Sequence, residues 1–234
     1  MASRAGIEKC KYSIMERYSE VCEHYKGLLA YQYALETAYH HLHQDLKISD
    51  HLFQKYLATG FRSQIETTSR FISYLEIFVG TRWCLRNVLG HPSNGKKSEY
   101  GKDGIFQDNT VQQIFKRKED ELLIPVDSIF WELRNEFHHR RLQTIQPSYC
   151  KVCKSDSITE FKGHMIPTPH AMTNFHSVRE KYPREVDYLT NESPFLIVAL
   201  EIHFESVAKL HNFGLDLIAG CTERVFGKPL KVWM

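Results

Sequence analysis

The sequence has no stretch of about 18 consecutive apolar residues, the length that a membrane-spanning helix requires. Its first residues, MASRAGIEKCKYS, lack the apolar core of a signal peptide. Both absences predict a cytoplasmic protein without a membrane partner. Because thiols stay reduced in the cytoplasm, the six cysteines are expected to be free thiols or metal ligands rather than disulfides.

A strong excess of charge is also missing. Thirty lysines and arginines stand against 28 aspartates and glutamates, so the formal net charge is +2 with neutral histidines. Bulk charge therefore does not indicate nucleic-acid binding, and any such site must come from local clusters. The sequence also lacks a G-x-S-x-G motif, a dinucleotide fingerprint and a phosphate-binding glycine loop, which argues against several common enzyme classes.

Helical periodicity dominates what is present, and strand patterns are scarce. The sequence predicts an all-α fold, a helical bundle that forms a single domain over residues 1–234. A glycine-rich stretch, GHPSNGKKSEYGKDG, predicts a surface loop after the second helix. The predicted helices cover residues 7–47, 63–89, 110–118, a segment from about 125 to the histidines at 138 and 139, and 194–221.

Residues 143–192 interrupt this pattern before the last long helix. The segment has several prolines and little helical period, so we expect an irregular insertion with room for a short hairpin. Cys150 and Cys153 have the C-x-x-C spacing of zinc knuckles, and His164 and His170 follow them. These four side chains would complete a tetrahedral Cys2His2 site, and zinc would stabilise a segment that has few apolar residues of its own. The alternative is a pair of free thiols.

The stretch IFWELRNEFHHRRL, residues 129–142, contains the candidate catalytic residues. Arg134, Asn135 and His139 have the spelling R-N-x-x-x-H. Arginine is always cationic and can hold a phosphate with two hydrogen bonds, while histidine exchanges protons near neutral pH. In an unbroken helix, Arg134 and His139 are about 140° apart, and His138 lies closer to the face of the arginine. His138 is therefore the alternative to His139 as the catalytic histidine.

The spelling R-N-x-x-x-H at the end of an apolar helix, in an all-helical chain, resembles the HEPN superfamily. The resemblance implies a HEPN-like bundle and a homodimer whose two motifs face each other. For active members it implies a metal-independent endoribonuclease of toxin–antitoxin or phage-defence systems, with an antitoxin or a neighbouring defence protein as partner. Arg134 would then polarise the scissile phosphate, His139 would act as general acid or base, and Asn135 would orient the histidine or the phosphate. No catalytic cofactor is expected, and the products would carry 2′,3′-cyclic phosphate and 5′-hydroxyl ends.

Basic residues near the motif are candidates for contacts with the RNA backbone. Arg140 and Arg141 follow it directly, and Lys116, Arg117 and Lys118 precede its helix. The alternative for each group is an ordinary solvated surface. The second hypothesis for the whole protein is a non-catalytic helical module that binds RNA, a nucleotide or a protein partner. A motif whose arginine is buried in salt bridges would favour that second hypothesis.

Overall fold

The computed structural model describes residues 14–47, 61–91, 104–123, 126–139, 147–154, 157–164, 180, 183–184 and 196–230. Five helices account for most of them, and this confirms the all-α prediction. None of the described helices combines the length and apolar character that crossing a membrane requires. The helices are α1 (Ile14–Leu46), α2 (Phe61–Leu89), α3 (Asn109–Leu122), α4 (Val126–His139) and α5 (Leu196–Phe226).

The insertion contains a regular antiparallel hairpin of β1 (Pro147–Lys154) and β2 (Ser157–His164). Cys153 pairs with Ile158 near one end of the hairpin, and Pro147 pairs with His164 at the other. The sequence indicated an irregular segment with a short hairpin, and this hairpin supplies the regular part. Most other residues of the predicted insertion lie outside the described residues.

The chain divides into two compact units, and each long helix contributes a segment to both. The first unit comprises residues 1–32, 80–119 and 210–234, and the second comprises residues 33–79 and 120–209. The prediction of a single domain over the whole chain stays a prediction.

In the first unit, α2 and α5 approach each other closely at Gly214. A Cβ atom at this position would lie 2.5 Å from Cδ2 of Leu85, so only glycine fits without a shift of the leucine. Asp108 begins α3, because its carboxylate accepts a hydrogen bond of 2.8 Å from the backbone N–H of Thr110. The first contact packs α2 against α5, and the second defines the start of α3.

The core of the second unit is aromatic and contains three polar side chains that lie in a row. The ring of His203 stacks on Phe130 at 4.2 Å and is fully buried. Burial raises the pKa of Tyr74 well above its usual range, so its hydroxyl stays protonated. The hydroxyl oxygen of Tyr74 lies 2.8 Å from His203 Nδ1. The other ring nitrogen lies 3.8 Å from an Asp127 carboxylate oxygen. This row of side chains links α2, α5 and the first turn of α4.

Candidate functional site

Arg134, the arginine of the predicted motif, is held by a carboxylate. Its Nε lies 3.0 Å from Oε1 of Glu76 on α2, and its Nη2 lies 3.5 Å from Oε2. The arginine side chain is 23% exposed and Glu76 is 39% exposed, so the pair is partly accessible to water. Asn135 is half-buried. The predicted phosphate-binding group therefore already has an anionic partner.

The helix continues to the histidines of this motif. His138 and His139 are the last two residues of α4, and their side chains lie outside the described ones. On a helical backbone, position 138 is turned about 40° from position 134, and position 139 is turned about 140°. The backbone therefore brings position 138, rather than 139, to the face of Arg134. The prediction that His139 completes the motif stays a prediction.

The predicted RNA-backbone contacts fall in two places. Lys116, Arg117 and Lys118 lie on α3 in the first unit, where Arg117 is exposed and the two lysines are half-exposed. Lys118 Nζ lies 6.0 Å from the centre of the Phe213 ring. Arg140 and Arg141 lie outside the described residues. Arg134 belongs to the second unit, so the predicted site residues are distributed over both units.

The predicted zinc ligands lie on the hairpin, with the exception of His170, which is outside the described residues. Cys150 and Cys153 lie on β1, and their side chains lie outside the described ones. His164 pairs with Pro147 at the far end from Cys153, and burial lowers its pKa to about 4. Zinc binding by these residues stays a prediction.

A second R-N-x-x-x-H motif, which the sequence analysis missed, lies at the end of α2. The stretch LRNVLGH, residues 85–91, repeats the Leu-Arg-Asn of LRNEFHH, residues 133–139, with the histidine at the same spacing. Arg86, Asn87 and His91 are its three members. The repeated tripeptide was the signal that could have identified it. The sequence predicts a surface loop that includes this histidine, but the histidine is buried.

The backbone after α2 brings both ends of this motif together. The helix ends at Leu89, and Gly90 follows with a left-handed φ of 86°. Its N–H donates to the carbonyl oxygen of Arg86 at 3.0 Å, which closes the last turn of the helix. Glycine is the residue that takes this conformation at little cost, and the turn redirects the chain toward the side of Arg86.

Arg86 and His91 meet at the carboxylate of Glu119, which lies on α3. Arg86 Nε donates to Oε1 at 3.0 Å, and His91 Nε2 lies 3.0 Å from Oε2. Arg82, one turn earlier on α2, also donates to Oε1 at 2.9 Å. We call Arg82, Arg86, His91 and Glu119 the Glu119 cluster. It unites a motif arginine and a motif histidine within hydrogen-bonding distance of one group.

The Glu119 cluster is electrostatically unusual because its carboxylate is only 1% exposed. Burial alone would raise the pKa of Glu119. The hydrogen bond with His91 and the positive charges of Arg82 and Arg86 outweigh burial and lower the pKa to about 2. Glu119 is therefore ionised throughout the physiological range, and two arginine charges surround one carboxylate charge.

Residues 104–107 pack against the motif from outside α2. Ile105 N–H donates to the carbonyl oxygen of Val88 at 3.1 Å, and Arg17 Nη2 donates to the carbonyl oxygen of Ile105 at 2.7 Å. Gly104 has a φ of 66°, and a Cβ there would lie 2.4 Å from both Val88 O and Gly90 N. The end of α2 therefore depends on a glycine at position 104.

Gly104→Ala is expected to destabilise the protein strongly. A left-handed backbone costs a non-glycine residue on the order of 1–3 kcal/mol, and the contacts with backbone atoms of Val88 and Gly90 add to that cost. Urea unfolding of the variant measures the loss. The matched control is Gly27→Ala on α1, where a Cβ meets nothing within 4 Å and a helical Gly-to-Ala change should stabilise by roughly 0.5–1 kcal/mol. Equal stability of the two variants would contradict the described contact.

Comparison with models of protein families, with curated proteins and with solved structures finds no match.

Proposed function

We propose that this protein is a metal-independent endoribonuclease of HEPN type, with the Arg86–His91 motif as its reactive site. The observation that carries the proposal is that Arg86 and His91 meet within 3.0 Å of one carboxylate. The HEPN signature is an arginine, four to six residues, and a histidine, with a polar residue after the arginine. Residues 86–91 have this spelling. The end of α2 brings Arg86 and His91, the outer members of the motif, together.

The proposed chemistry uses a nucleophile that the RNA itself supplies. The 2′-hydroxyl oxygen attacks the adjacent phosphorus as its proton passes to His91, and the bond from phosphorus to the 5′ oxygen breaks. The leaving 5′ oxygen gains a proton, so the products are a 2′,3′-cyclic phosphate and a 5′-hydroxyl. Arg86 would stabilise the charge that develops on the phosphate through its permanent positive charge.

The resemblance to HEPN proteins also suggests the assembly and the setting. In a homodimer, the histidine of one copy would accept the proton and the other would supply one to the leaving oxygen. We propose a toxin–antitoxin or phage-defence role, with an antitoxin or neighbouring defence protein as partner. Arg134, Asn135 and His139, with His138 as the alternative, remain the second candidate motif for the same reaction.

A second candidate function is favoured by the salt bridges of both motif arginines. Arg134 pairs with Glu76, and Arg86 pairs with Glu119 in a cluster whose arginines are each 15% exposed. A motif arginine that already holds a carboxylate fits a helical module that binds RNA, a nucleotide or a protein partner without cleaving it.

The test is incubation of the purified protein with a defined RNA in excess EDTA. The proposal expects cleavage with 2′,3′-cyclic phosphate and 5′-hydroxyl ends, which end-labelling and phosphatase treatment identify. A matched RNA with 2′-O-methyl groups should remain intact, because it lacks the nucleophile. If folded protein binds RNA in a gel-shift assay but leaves a broad panel of RNAs uncut, the non-catalytic module is the better account.

A further inference from the structure

A groove in the second unit is lined by residues of α1 and α2 and has a volume of about 410 Å³. An apolar cavity of roughly 150 Å³ is large enough to hold a benzene ring, so the groove has room for an aromatic side chain. We call it the Tyr33 groove. Its described lining consists of Tyr33, Ala34, Thr37, Ala38, His41, Arg70, Ser73 and Ile77.

Tyr33 projects from the wall of this groove. It is 74% exposed, which makes it the most exposed of the large apolar side chains that the structure describes. Ala34 and Ala38, four positions apart on the same helix, also line the groove, and their small methyl groups leave its space open. One surface patch therefore presents a large projecting ring beside a recess.

The charges around the Tyr33 groove are of both signs. Arg70, which carries the one permanent charge among the described lining residues, donates a hydrogen bond to the carboxylate of Asp45. His41 acts on the same carboxylate as a second cationic group, and Glu66 acts on it as an anionic one. A patch with both signs does not repel a copy of itself, whereas a strongly anionic partner such as RNA finds no excess of positive charge there.

We propose that the Tyr33 groove is a homodimer interface, in which Tyr33 of each copy enters the groove of the other. A twofold axis brings the same patch of both subunits together, so a projecting group and the recess that receives it must lie on one surface. The groove meets this requirement because Tyr33 both lines it and projects from it. The expectation of a dimer rests on the proposed function, whereas the choice of this surface follows from the groove itself.

The test is sedimentation equilibrium of the wild type and of two variants at micromolar concentration. Tyr33→Ser removes the projecting ring, and Ala38→Trp fills the recess, so the wild type should be a dimer and each variant a monomer. Truncation of an aromatic residue that fills a pocket at an interface raises the dissociation constant by about 30-fold or more. Because the twofold axis repeats the loss, we expect an increase on the order of 10³-fold for Tyr33→Ser.

Ile114→Ser is the matched control, because Ile114 is a 43% exposed apolar side chain of α3 in the first unit. This variant should remain a dimer. Circular dichroism establishes that all three variants are folded. If the wild type is a monomer, or if folded Tyr33→Ser and Ala38→Trp both remain dimers, the inference is wrong.

A mixture of the two variants tests the reciprocal contact. In the mixed dimer, Tyr33 of the Ala38→Trp copy enters the open groove of the Tyr33→Ser copy. At the other contact, the added indole ring occupies the space that the missing phenol ring leaves. The mixture should therefore sediment as a dimer although each variant alone is a monomer, and a mixture that stays monomeric would refute the reciprocal arrangement.

RNA assays on the same samples separate this inference from the proposed function. A wild-type dimer that leaves RNA uncut would refute the ribonuclease and leave the interface intact. A wild-type monomer that cleaves RNA would refute the interface alone. A wild-type monomer whose affinity for RNA falls in Tyr33→Ser would assign the groove to RNA instead of a second copy of the chain.

Discussion

His91→Gln is expected to reduce the rate of RNA cleavage by about 10²–10⁴-fold, the usual contribution of a general acid or base. Glutamine is the informative replacement because its amide N–H can still donate to Oε2 of Glu119, which His91 contacts at 3.0 Å. The variant thus keeps the hydrogen bond of the buried cluster while it loses the ability to exchange a proton. Single-turnover cleavage with saturating enzyme measures the chemical step.

His40→Gln on α1 is the matched control, since this histidine is exposed and lies outside both motifs. Its cleavage rate should equal that of the wild type. Circular dichroism and urea unfolding of His91→Gln establish that the variant is folded. A folded His91→Gln that cleaves at the rate of His40→Gln would remove the histidine from the mechanism.

Glu119→Ala is expected to lower the free energy of unfolding at pH 7 by about 3–5 kcal/mol, the usual cost of removing one partner from a buried ion pair. The loss arises because Arg82 and Arg86, each 15% exposed, keep their charges and lose the carboxylate that they share. Asp216→Ala is the control, because Asp216 is exposed on α5. Its free energy of unfolding should stay within about 0.5 kcal/mol of the wild type. A loss below about 1 kcal/mol in Glu119→Ala would contradict the described cluster.

The contribution of Glu119 should also depend on pH in a defined range. Its pKa falls from the ordinary 4.5 to about 2 in the folded protein, which corresponds to about 3 kcal/mol of stability. Since the unfolded chain binds the proton first, that stability is complete above pH 4.5 and is lost as the pH falls toward 2. The difference between wild type and Glu119→Ala should therefore shrink over this range.

Two buried histidines should also destabilise the protein on acidification, but at a higher pH than Glu119 does. Burial lowers the pKa of both His164 and His211 to about 4. For a histidine whose pKa is lowered from 6.5 to about 4, the unfolded chain binds more protons than the folded one between these values, so the free energy of unfolding falls as the pH falls from 6.5 to about 4. The acid response of Glu119 can thus be distinguished from that of the histidines by the pH at which it occurs.

The helices could be predicted from the sequence because apolar side chains repeat with the helical period. In α2, for example, Phe71, Leu75 and Phe78 recur at intervals of four and three, and all three are buried. The partner of the predicted motif could not be predicted in this way. Glu76 lies 58 positions before Arg134, and its pairing depends on how α2 packs against α4.

The Glu119 cluster could not be predicted from the sequence for two physical reasons. Glu119 stands in the charged run KRKEDE, which suggests a solvated surface, although it follows the buried Val111 and Phe115 at intervals of four. His91 follows a glycine in a polar, glycine-rich stretch, which suggests a loop, and only the backbone turn at Gly90 brings it toward Arg86. Helical spacing thus contained the signal for the carboxylate, whereas the burial of the histidine depends on tertiary structure.

The central claim is that residues 86–91, rather than 134–139, cleave RNA without a metal. The most direct measurement compares His91→Gln with His139→Gln on one defined RNA in excess EDTA, under single-turnover conditions. We expect the first variant to lose about 10²–10⁴-fold in rate and the second to retain a rate close to that of the wild type. A wild-type rate for folded His91→Gln, together with the loss of cleavage in His139→Gln, would contradict the claim and assign the reaction to the motif on α4.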